Sequence, residues 1–296
     1  MNIGAISLGC DKNRVDTEKM LARLEEGGHR IVSSAEEADI LVVNTCAFID
    51  KAKEESIDEM LWAIAQKQTA HAKHVIVTGC LAERYADVLK DEFPEVDAIL
   101  GVNSYDEIVR TVENICGGEK VFEVHGADKF YDKRVLTTPY HYAYLKIADG
   151  CNNHCTYCAI PSIRGKYRSE RLEDLLKEAK ALSDDGVKEL ILVAQDVTCY
   201  GVDFDGKPHL MELVRELEKL DFEWIRLLYL EPETVDDALI DFIASEPKVV
   251  KYMDIPLQHV DDKVLKLMNR GTTEARIREL VAKVKSKGIT LRTTFI

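Results

Sequence analysis

Short apolar runs alternate with helix-length amphipathic segments in the first part of the chain, and this alternation restricts the fold more than any other feature. The predicted strands and helices lie near 2–8, 14–27, 39–44, 51–70, 74–79, 82–92 and 96–100. A further helix, with Ser104 as its N-cap and Glu107 as its capping-box partner, is predicted to follow. Continuous apolar runs separated by helices are typical of buried parallel strands. Residues 1–116 are therefore expected to form a three-layer α/β domain.

The same pattern restarts after residues 117–140, which lack helical periodicity and are predicted to connect two domains. Five strands are predicted at 141–148, 188–194, 222–228, 251–255 and 289–296. Helices are predicted at 170–183, 208–219 and 235–245 and between 262 and 286. Strands that alternate with helices in this way favour a parallel sheet with right-handed crossovers. Residues 141–296 are expected to form this second domain.

Three cysteines end apolar strands of the first domain. Cys10, Cys46 and Cys80 each close such a run, and Gly9 and Gly79 precede two of them. In open α/β sheets the ligand crevice lies beyond the carboxyl ends of the strands, so three strands would deliver three thiols to one crevice. Thiolates select iron–sulfur clusters or zinc. The sequence therefore suggests a three-cysteine cluster, with ordinary buried cysteines as the alternative.

A second cysteine triplet follows the first strand of the second domain. Cys151, Cys155 and Cys158 have C-x3-C-x2-C spacing. Three thiolates on a four-iron cubane would leave one iron open for reaction. Structural zinc sites and ferredoxins are the alternatives, but each normally uses four protein ligands per site, and no fourth cysteine lies nearby in the sequence.

The run from Gly150 to Pro161, with Tyr157 before the last cysteine, resembles the signature of the radical S-adenosylmethionine (SAM) enzymes. Together with Ser-Leu-Gly-Cys10-Asp-Lys-Asn, Val-Asn-Thr-Cys46-Ala-Phe-Ile and Thr-Gly-Cys80-Leu-Ala, it resembles the methylthiotransferases. This resemblance implies two [4Fe-4S] clusters, SAM, a reductant such as flavodoxin or ferredoxin, and transfer of a methylthio group to an unactivated carbon.

Two stretches bear on the branch of the family. Tyr144-Leu-Lys-Ile-Ala-Asp-Gly-Cys151 and Ala159-Ile-Pro-Ser-Ile-Arg-Gly-Lys166 resemble most the RimO branch, which modifies an aspartate of a small-subunit ribosomal protein. The tRNA-modifying MiaB branch is the alternative within the family. A two-cluster electron-transfer or binding module is the alternative from another class.

The resemblance also implies a partial TIM-type radical SAM barrel in residues 141–296, with the family's C-terminal TRAM domain absent and the barrel incomplete. The chain departs from the family pattern at Asp11, where proline is expected, and at Glu170, where arginine is usual. Neither residue is a thiolate ligand, so both departures leave the cluster hypothesis intact.

Further candidate ligands lie at predicted strand ends, where barrel active sites are built. They are Gln195, Asp196, Glu231, Gln258 and His259, which are expected to bind SAM or substrate. The resemblance implies that Tyr157 contacts the adenine of SAM. A basic patch, Arg164, Lys166, Arg168 and Arg171, is expected to hold a carboxylate or to lie in solvent. Cys116 and Cys199 belong to neither triplet.

Composition limits the partners. The formal net charge of −14 disfavours a nucleic-acid substrate and favours a basic protein, such as a ribosomal protein. No apolar run is long enough for a membrane span, and the N-terminus does not resemble a secretory signal. Eight cysteines in such a chain favour metal or redox chemistry over disulfides. A cytoplasmic location is expected.

Overall fold

The structure, a computed structural model, describes residues 1–69, 71–124, 126 and 130–296. The chain divides into two compact units. The first contains Met1–Thr137 and Ser162–Arg164, and the second contains Thr138–Pro161 and Gly165–Ile296. Across the described residues, every helix is too short or too polar to span a bilayer.

The first unit is built on one six-stranded sheet. Its strands are β1 (Asn2–Ser7), β2 (Arg30–Ile31), β3 (Ile40–Thr45), β4 (His74–Gly79), β5 (Ala98–Leu100) and β6 (Val121–Glu123). They lie in the order β2-β1-β3-β4-β5-β6, and all neighbours are parallel. Strand β3 is buried along its whole length, as its continuous apolar run predicts. The order reverses between β1 and β3, which makes the crevice beyond their carboxyl ends a topological switch point.

The helices of the first unit connect these strands. They are α1 (Asp11–Glu26), α2 (Asp50–Thr69), α3 (Cys80–Glu92) and α4 (Ile108–Cys116). Helix α1 buries Met20, Leu21 and Leu24, the apolar residues that predict it. The predicted capping box at Ser104 is wrong. Its side chain caps no helix, a 3-10 turn at Tyr105–Glu107 comes first, and the Ser104 hydroxyl accepts the Gly126 N–H instead.

The second unit contains two parallel sheets and one short antiparallel pair of strands. Its strands are β7 (Tyr142–Lys146), β8 (Ala148–Asp149), β9 (Arg168–Ser169), β10 (Glu189–Val193), β11 (Trp224–Leu227), β12 (Tyr252–Asp254) and β13 (Thr290–Arg292). Strands β7, β10 and β11 form one parallel sheet, β12 pairs with β13 in another, and β8 with β9 forms the antiparallel pair. Parallel pairing of Ile225 with Val249 continues the first sheet toward β12. This succession is the winding of part of a (β/α) barrel.

The helices of the second unit follow the predicted alternation. They are α5 (Ile160–Arg164, whose last three residues belong to the first unit), α6 (Leu172–Asp184), α7 (Val202–Asp205), α8 (Leu210–Leu217), α9 (Asp237–Ser245), α10 (Asp262–Leu267) and α11 (Glu274–Ser286). Asp236, Asp261 and Thr273 cap α9, α10 and α11 through side-chain oxygens, the usual residue types at this position.

The structure corrects the sequence prediction at the short elements. Residues 117–140, predicted as a connector, contain strand β6, which extends the first sheet beside β5. The predicted strand 141–148 ends at Lys146, and Ala148–Asp149 turns away to pair antiparallel with Arg168–Ser169. Strands of two or three residues carry too few side chains to show a periodic pattern.

Candidate functional site

The three strand-end cysteines of the first unit lie beyond adjacent strands. Cys10 follows β1 and immediately precedes α1, Cys46 follows β3, and Cys80 follows β4 as the first residue of α3. Thr45 pairs with Gly79 in the sheet register, so Cys46 and Cys80 leave neighbouring strands at the same level. The prediction that these strands end at one edge of a sheet is confirmed.

Both predicted glycine turns are present, and each allows a close approach of the backbone. Gly9 has φ +83°, and a Cβ there would lie 2.7 Å from Cys46 Cβ. Gly79 has φ +94°, and a Cβ there would lie 2.2 Å from Asn44 Oδ1. Only glycine fits these positions without displacing the chain beside the thiols.

A buried polar network lies against Cys80. Asn13, on the first turn of α1, donates its amide to Leu8 O (3.1 Å) and Thr45 O (2.9 Å). The Arg164 guanidinium donates to Asn13 Oδ1 (2.5 Å) and Asp16 Oδ2 (2.8 Å), and it lies 3.7 Å from Cys80 Sγ. Arg164 is only 2% exposed. Of the two expectations for the basic patch, the solvated one is therefore wrong for Arg164, whose described carboxylate partner is Asp16, whereas Lys166, Arg168 and Arg171 are exposed.

Burial opposes ionisation of these thiols, whereas nearby hydrogen-bond donors and a guanidinium favour it. Burial raises the pKa of Cys80 to about 11, although Arg164 acts to lower it. Burial also raises the pKa of Cys46, against backbone N–H groups of Phe48 and Ala47 that favour the thiolate. Cys10 and Cys46 each contribute to the electrostatics of Cys80. Thiols that influence one another's ionisation and are supplied with N–H donors could serve as thiolate ligands of one cluster.

In the second unit the cysteine run is fixed by the segment that follows α10. The Thr156 N–H donates to Met268 O (3.1 Å), the Thr156 hydroxyl donates to Leu267 O (3.1 Å), and the Asn269 amide donates to His154 O (2.9 Å). Asn269 has φ +57°, the left-handed conformation in which helices commonly terminate, here directly after the C-cap of α10.

Each sulfur of this triplet has a nitrogen donor. The Asn153 N–H lies 3.3 Å from Cys151 Sγ, Arg270 Nη1 lies 3.7 Å from Cys155 Sγ, and the backbone of Ile160 hydrogen-bonds Cys158. Burial raises the pKa of Cys151 to about 11 and also raises that of Cys158, and the backbone donors oppose both shifts. Hydrogen bonds to sulfur are among the features that tune iron–sulfur clusters.

Sequence reasoning missed Arg270, whose side chain is 2% exposed. Besides Cys155, its guanidinium contacts Glu231 and Glu233. Burial raises the pKa of Glu231, which Arg270 opposes. The predicted ligand Glu231 therefore lies beside the cysteine run. The signal that could have found Arg270 was the sequence Met268-Asn-Arg-Gly271, a turn directly after a helix.

Three predicted ligands follow strands β10 and β11, and two of them affect the pKa of Cys151. Asp196 and Glu231 both contribute to the electrostatics of Cys151. Gln195 donates to Asp149 Oδ1 (2.8 Å), and its Oε1 is buried without a hydrogen-bond partner among the described residues. The Cys199 thiol donates to Asp196 Oδ2 (3.0 Å). Burial and the neighbouring Asp196 raise the pKa of Cys199, and Cys151 adds a smaller contribution.

Of the three remaining predicted ligands, Tyr157 lies beside the cysteine run, whereas Gln258 and His259 contact other segments. Tyr157 is 37% exposed and hydrogen-bonds Cys155, and burial raises its pKa. Gln258 has φ +65°, and its described contacts are backbone pairings with Thr294, Phe295 and Ile296. The His259 ring accepts the Asp261 N–H (2.9 Å). The described contacts of Gln258 and His259 are thus with their own loop and the β13 region, and their role as ligands stays a prediction.

Within the described residues, no three His, Cys, Asp or Glu side chains converge closely enough to hold a single metal ion. The ligands of a cubane bind different irons and stand apart by the width of the cluster, so neither triplet needs to converge on one point. The donor chemistry fits a cluster better than a zinc ion, because each triplet offers three thiolates and zinc in structural sites takes four ligands.

The two halves of the chain match two protein families. Residues 145–296 match the radical SAM superfamily, and residues 2–101 match the uncharacterized protein family UPF0004. The boundary between these matches falls between the two cysteine triplets.

Curated relatives match the whole chain. It is 48% identical to the ribosomal protein uS12 methylthiotransferase RimO of Thermoanaerobacter sp. (strain X514) and 49% identical to the protein of that name from Caldanaerobacter subterraneus subsp. tengcongensis. Each match covers 100% of the chain and 69% of the relative.

Solved structures of radical SAM enzymes share the fold. The cobalamin-dependent enzyme OxsB, with aqua-cobalamin and SAM bound, matches with a TM-score of 0.66 at 12% identity, over 100% of this chain and 49% of OxsB. The methyltransferase TsrM from Kitasatospora setae, with tryptophan and aza-SAM bound, matches with a TM-score of 0.65 at 12% identity, over 99% of this chain and 66% of TsrM. With the sequence matches over the full chain, the chain belongs to the RimO family of radical SAM methylthiotransferases.

Proposed function

We propose that this chain transfers a methylthio group to ribosomal protein uS12, and that it does so with two [4Fe-4S] clusters, one on each cysteine triplet. The observation that carries the two-cluster part is the position of Cys10, Cys46 and Cys80 beyond three adjacent parallel strands at a topological switch point. A module with a single cluster would not need this second set of thiols.

The first cluster would be held by Cys151, Cys155 and Cys158. When bound, it supplies the electron that cleaves SAM into methionine and a 5′-deoxyadenosyl radical. The protein's part is to hold the loop rigid through Thr156 and Asn269 and to place N–H donors at the sulfurs. The buried acceptor Gln195 Oε1 and the carboxylate of Glu231 are proposed to face the charged groups of SAM.

The second cluster would be held by Cys10, Cys46 and Cys80. When bound, it supplies an open iron on which the sulfur for transfer is carried. The protein's part is to keep these thiols in a crevice of low solvent access and to stabilise their ionised form. Backbone N–H groups at Cys46 and the guanidinium of Arg164 at Cys80 meet that need.

The substrate assignment rests on the relatives, which are named for uS12, and on charge. A net charge of −14 suits a basic ribosomal protein better than tRNA. Action on a ribosomal protein would take place in the cytoplasm, with flavodoxin or ferredoxin as the proposed reductant.

Iron counting tests the two-cluster proposal. After anaerobic reconstitution, the wild-type chain should hold about eight irons, and either triple Cys→Ala variant should hold about four. Mössbauer spectra would identify the surviving cluster. About four irons in the wild type, falling to none when Cys151, Cys155 and Cys158 are replaced, would leave a single cluster and contradict the proposal.

Product analysis separates this function from its alternatives. The enzyme should form 5′-deoxyadenosine on reduction with SAM, whereas an electron-transfer module should form none. Supplied in parallel with uS12 and with a tRNA anticodon arm, it should place the methylthio group on uS12. Modification of the RNA alone would favour the MiaB-like alternative.

A further inference from the structure

Arg164 occupies an unusual place for a charged side chain. Its guanidinium is buried, with 2% of the side chain exposed, beside Asp16 with 1% exposed. Burying two charges costs free energy that their attraction offsets only with good geometry and further hydrogen bonds. The fold meets this condition by giving the guanidinium a second acceptor, Asn13 Oδ1, at 2.5 Å.

Asn13 is itself held in one orientation. Its amide nitrogen donates to the backbone carbonyls of Leu8 and Thr45, which precede Cys10 and Cys46 in the chain. Its carbonyl oxygen therefore faces Arg164 and Cys80, with Cys80 Sγ at 3.7 Å. The network thus joins the ends of strands β1 and β3 to the guanidinium.

With two nitrogens engaged by Asp16 and Asn13, the guanidinium lies 3.7 Å from Cys80 Sγ. This is a charge-assisted N–H···S contact from a group that cannot lose its proton at physiological pH. Arginine keeps this geometry because its five donors are arranged in a rigid planar fork, whereas lysine presents one flexible point charge.

From this geometry, we propose that Arg164 is a positioning residue for the second cluster, which it serves by donating to the Cys80 thiolate and holding a fixed positive charge beside it. The inference rests on the proposed two-cluster function. A positive charge and a hydrogen bond at a ligand sulfur stabilise the reduced, more negative cluster. Arg164 therefore raises the reduction potential of this cluster and helps to retain it.

The test uses the full chain with Cys151, Cys155 and Cys158 replaced by alanine, so that only the second cluster contributes. In this background Arg164→Gln and Arg164→Lys are compared with a matched control, Arg134→Gln. Arg134 is also a buried arginine of the first unit, paired with Glu18 at 2% and 0% side-chain exposure, and its described contacts do not include a cysteine. Iron content, the midpoint potential from an EPR-monitored redox titration, and apoprotein melting are measured.

Arg164→Gln is expected to shift the midpoint potential to more negative values or to lose the cluster from a folded chain. Arg164→Lys should give a midpoint potential between those of the parent and of Arg164→Gln, because lysine keeps the positive charge but not the planar fork. Arg134→Gln should lower the melting temperature and leave the potential and the iron content unchanged.

Two results would overturn the inference. If Arg164→Gln lowers the melting temperature but keeps wild-type iron and potential, Arg164 is only a structural partner of Asp16. If the parent background binds no iron at all, the proposed second cluster is itself wrong, and the inference falls with it. The parent's iron content thus distinguishes the two failures.

Discussion

Each cysteine triplet has a buried arginine within 3.7 Å of one of its sulfurs, Arg164 at Cys80 and Arg270 at Cys155. Each arginine also contacts carboxylates, Asp16 in one case and Glu231 with Glu233 in the other. In each unit, a buried arginine thus places a positive charge beside a cysteine sulfur. Thiolates in a poorly hydrated place need a fixed cation, and that cation needs anions to balance it.

Gly79→Ala should destabilise the first unit. The residue has φ +94° and ψ −161°, a region that only glycine adopts readily, and the new Cβ would collide with Asn44 and Thr45. Strain and overpacking together predict a loss of about 2–4 kcal/mol in the free energy of unfolding. Urea denaturation measures it. The control is Gly28→Ala, because Gly28 has φ +84° with open space around it. This substitution should cost only about 1 kcal/mol. Equal losses of stability in the two variants would contradict a role for the contact with Asn44 and Thr45.

Arg270→Gln should destabilise the second unit and weaken its cluster. The change leaves Glu231 and Glu233 without the guanidinium that they share, and removing one partner of a buried ion pair costs about 3–5 kcal/mol. Denaturation of the apoprotein and iron retention after reconstitution are the measurements.

The comparison variant for Arg270 is Arg278→Gln. Arg278 pairs with Glu274 on the surface, with 74% of its side chain exposed, and exposed pairs of this kind contribute about 0–1 kcal/mol. If both substitutions changed stability and iron content equally, the buried contacts of Arg270 would have no special role.

At the scale of elements, helix α1 explains much of what the sequence could and could not reveal. Its apolar residues predict the helix correctly, because they follow the 3.6-residue period. The polar residues Asn13, Asp16 and Glu18 of the same helix are also buried, and the helical period of the apolar residues does not identify their partners. Their partners Arg134 and Arg164 lie more than a hundred residues away in the sequence. A periodic pattern records local burial, and it carries no information about such distant partners.

The positions of the cysteines, unlike these long-range contacts, follow from local features of the sequence. Their placement beyond strands follows from the parallel sheet alone, so the sequence predicted Cys10, Cys46 and Cys80 at one edge correctly. Strand ends are set by apolar runs, which are local features. Arg270 was missed because its contact with Cys155 joins residues 115 positions apart.

Glu18→Gln tests how the end of the first unit is attached to α1. The Glu18 carboxylate accepts a hydrogen bond from the Arg134 side chain. It also accepts from the N–H and the hydroxyl of Thr137, both at 2.8 Å. The neutral amide would weaken these bonds and remove the negative charge from a buried ion pair with Arg134, at a cost of about 3–5 kcal/mol. Hydrogen exchange of the Thr137 amide should accelerate. The Val135 amide, bonded to the backbone oxygen of Glu18 (3.1 Å), is the internal reference, and unchanged exchange at Thr137 would refute the attachment.

A pH-dependent contact joins helices α7 and α8. His209 hydrogen-bonds Glu212 and Asp205, each at 3.0 Å, and these bonds raise its pKa above 6.5. Because the folded-state pKa exceeds the unfolded value, the stabilisation is complete below about pH 6.5 and is lost as pH rises through the folded pKa. The stability difference between wild type and His209→Gln should therefore be larger at pH 5.5 than at pH 8.5, as denaturation midpoints would show. An equal difference at both pH values would contradict this assignment.

At the scale of the whole molecule, the net charge of −14 should govern encounter with the proposed basic substrate. Opposite charges accelerate association, and salt screens them over about 8 Å at 0.15 M. The kcat/KM for uS12 should fall as ionic strength rises, mainly through KM. SAM cleavage without substrate serves as the control and should change little. A kcat/KM that is independent of salt would remove the electrostatic argument for a basic substrate.

The first unit includes a short segment from later in the chain, because Ser162–Arg164 belongs with Met1–Thr137 although the residues on both sides of that segment belong to the second unit. A gene fragment cut at Thr137 would encode the whole six-stranded sheet but not the guanidinium that meets Asp16 and Cys80. Recombination at that boundary would therefore transfer the sheet without Arg164. The inheritance of the first unit is tied to the short segment just after the radical SAM cysteines, so the two halves of the chain are expected to have evolved together.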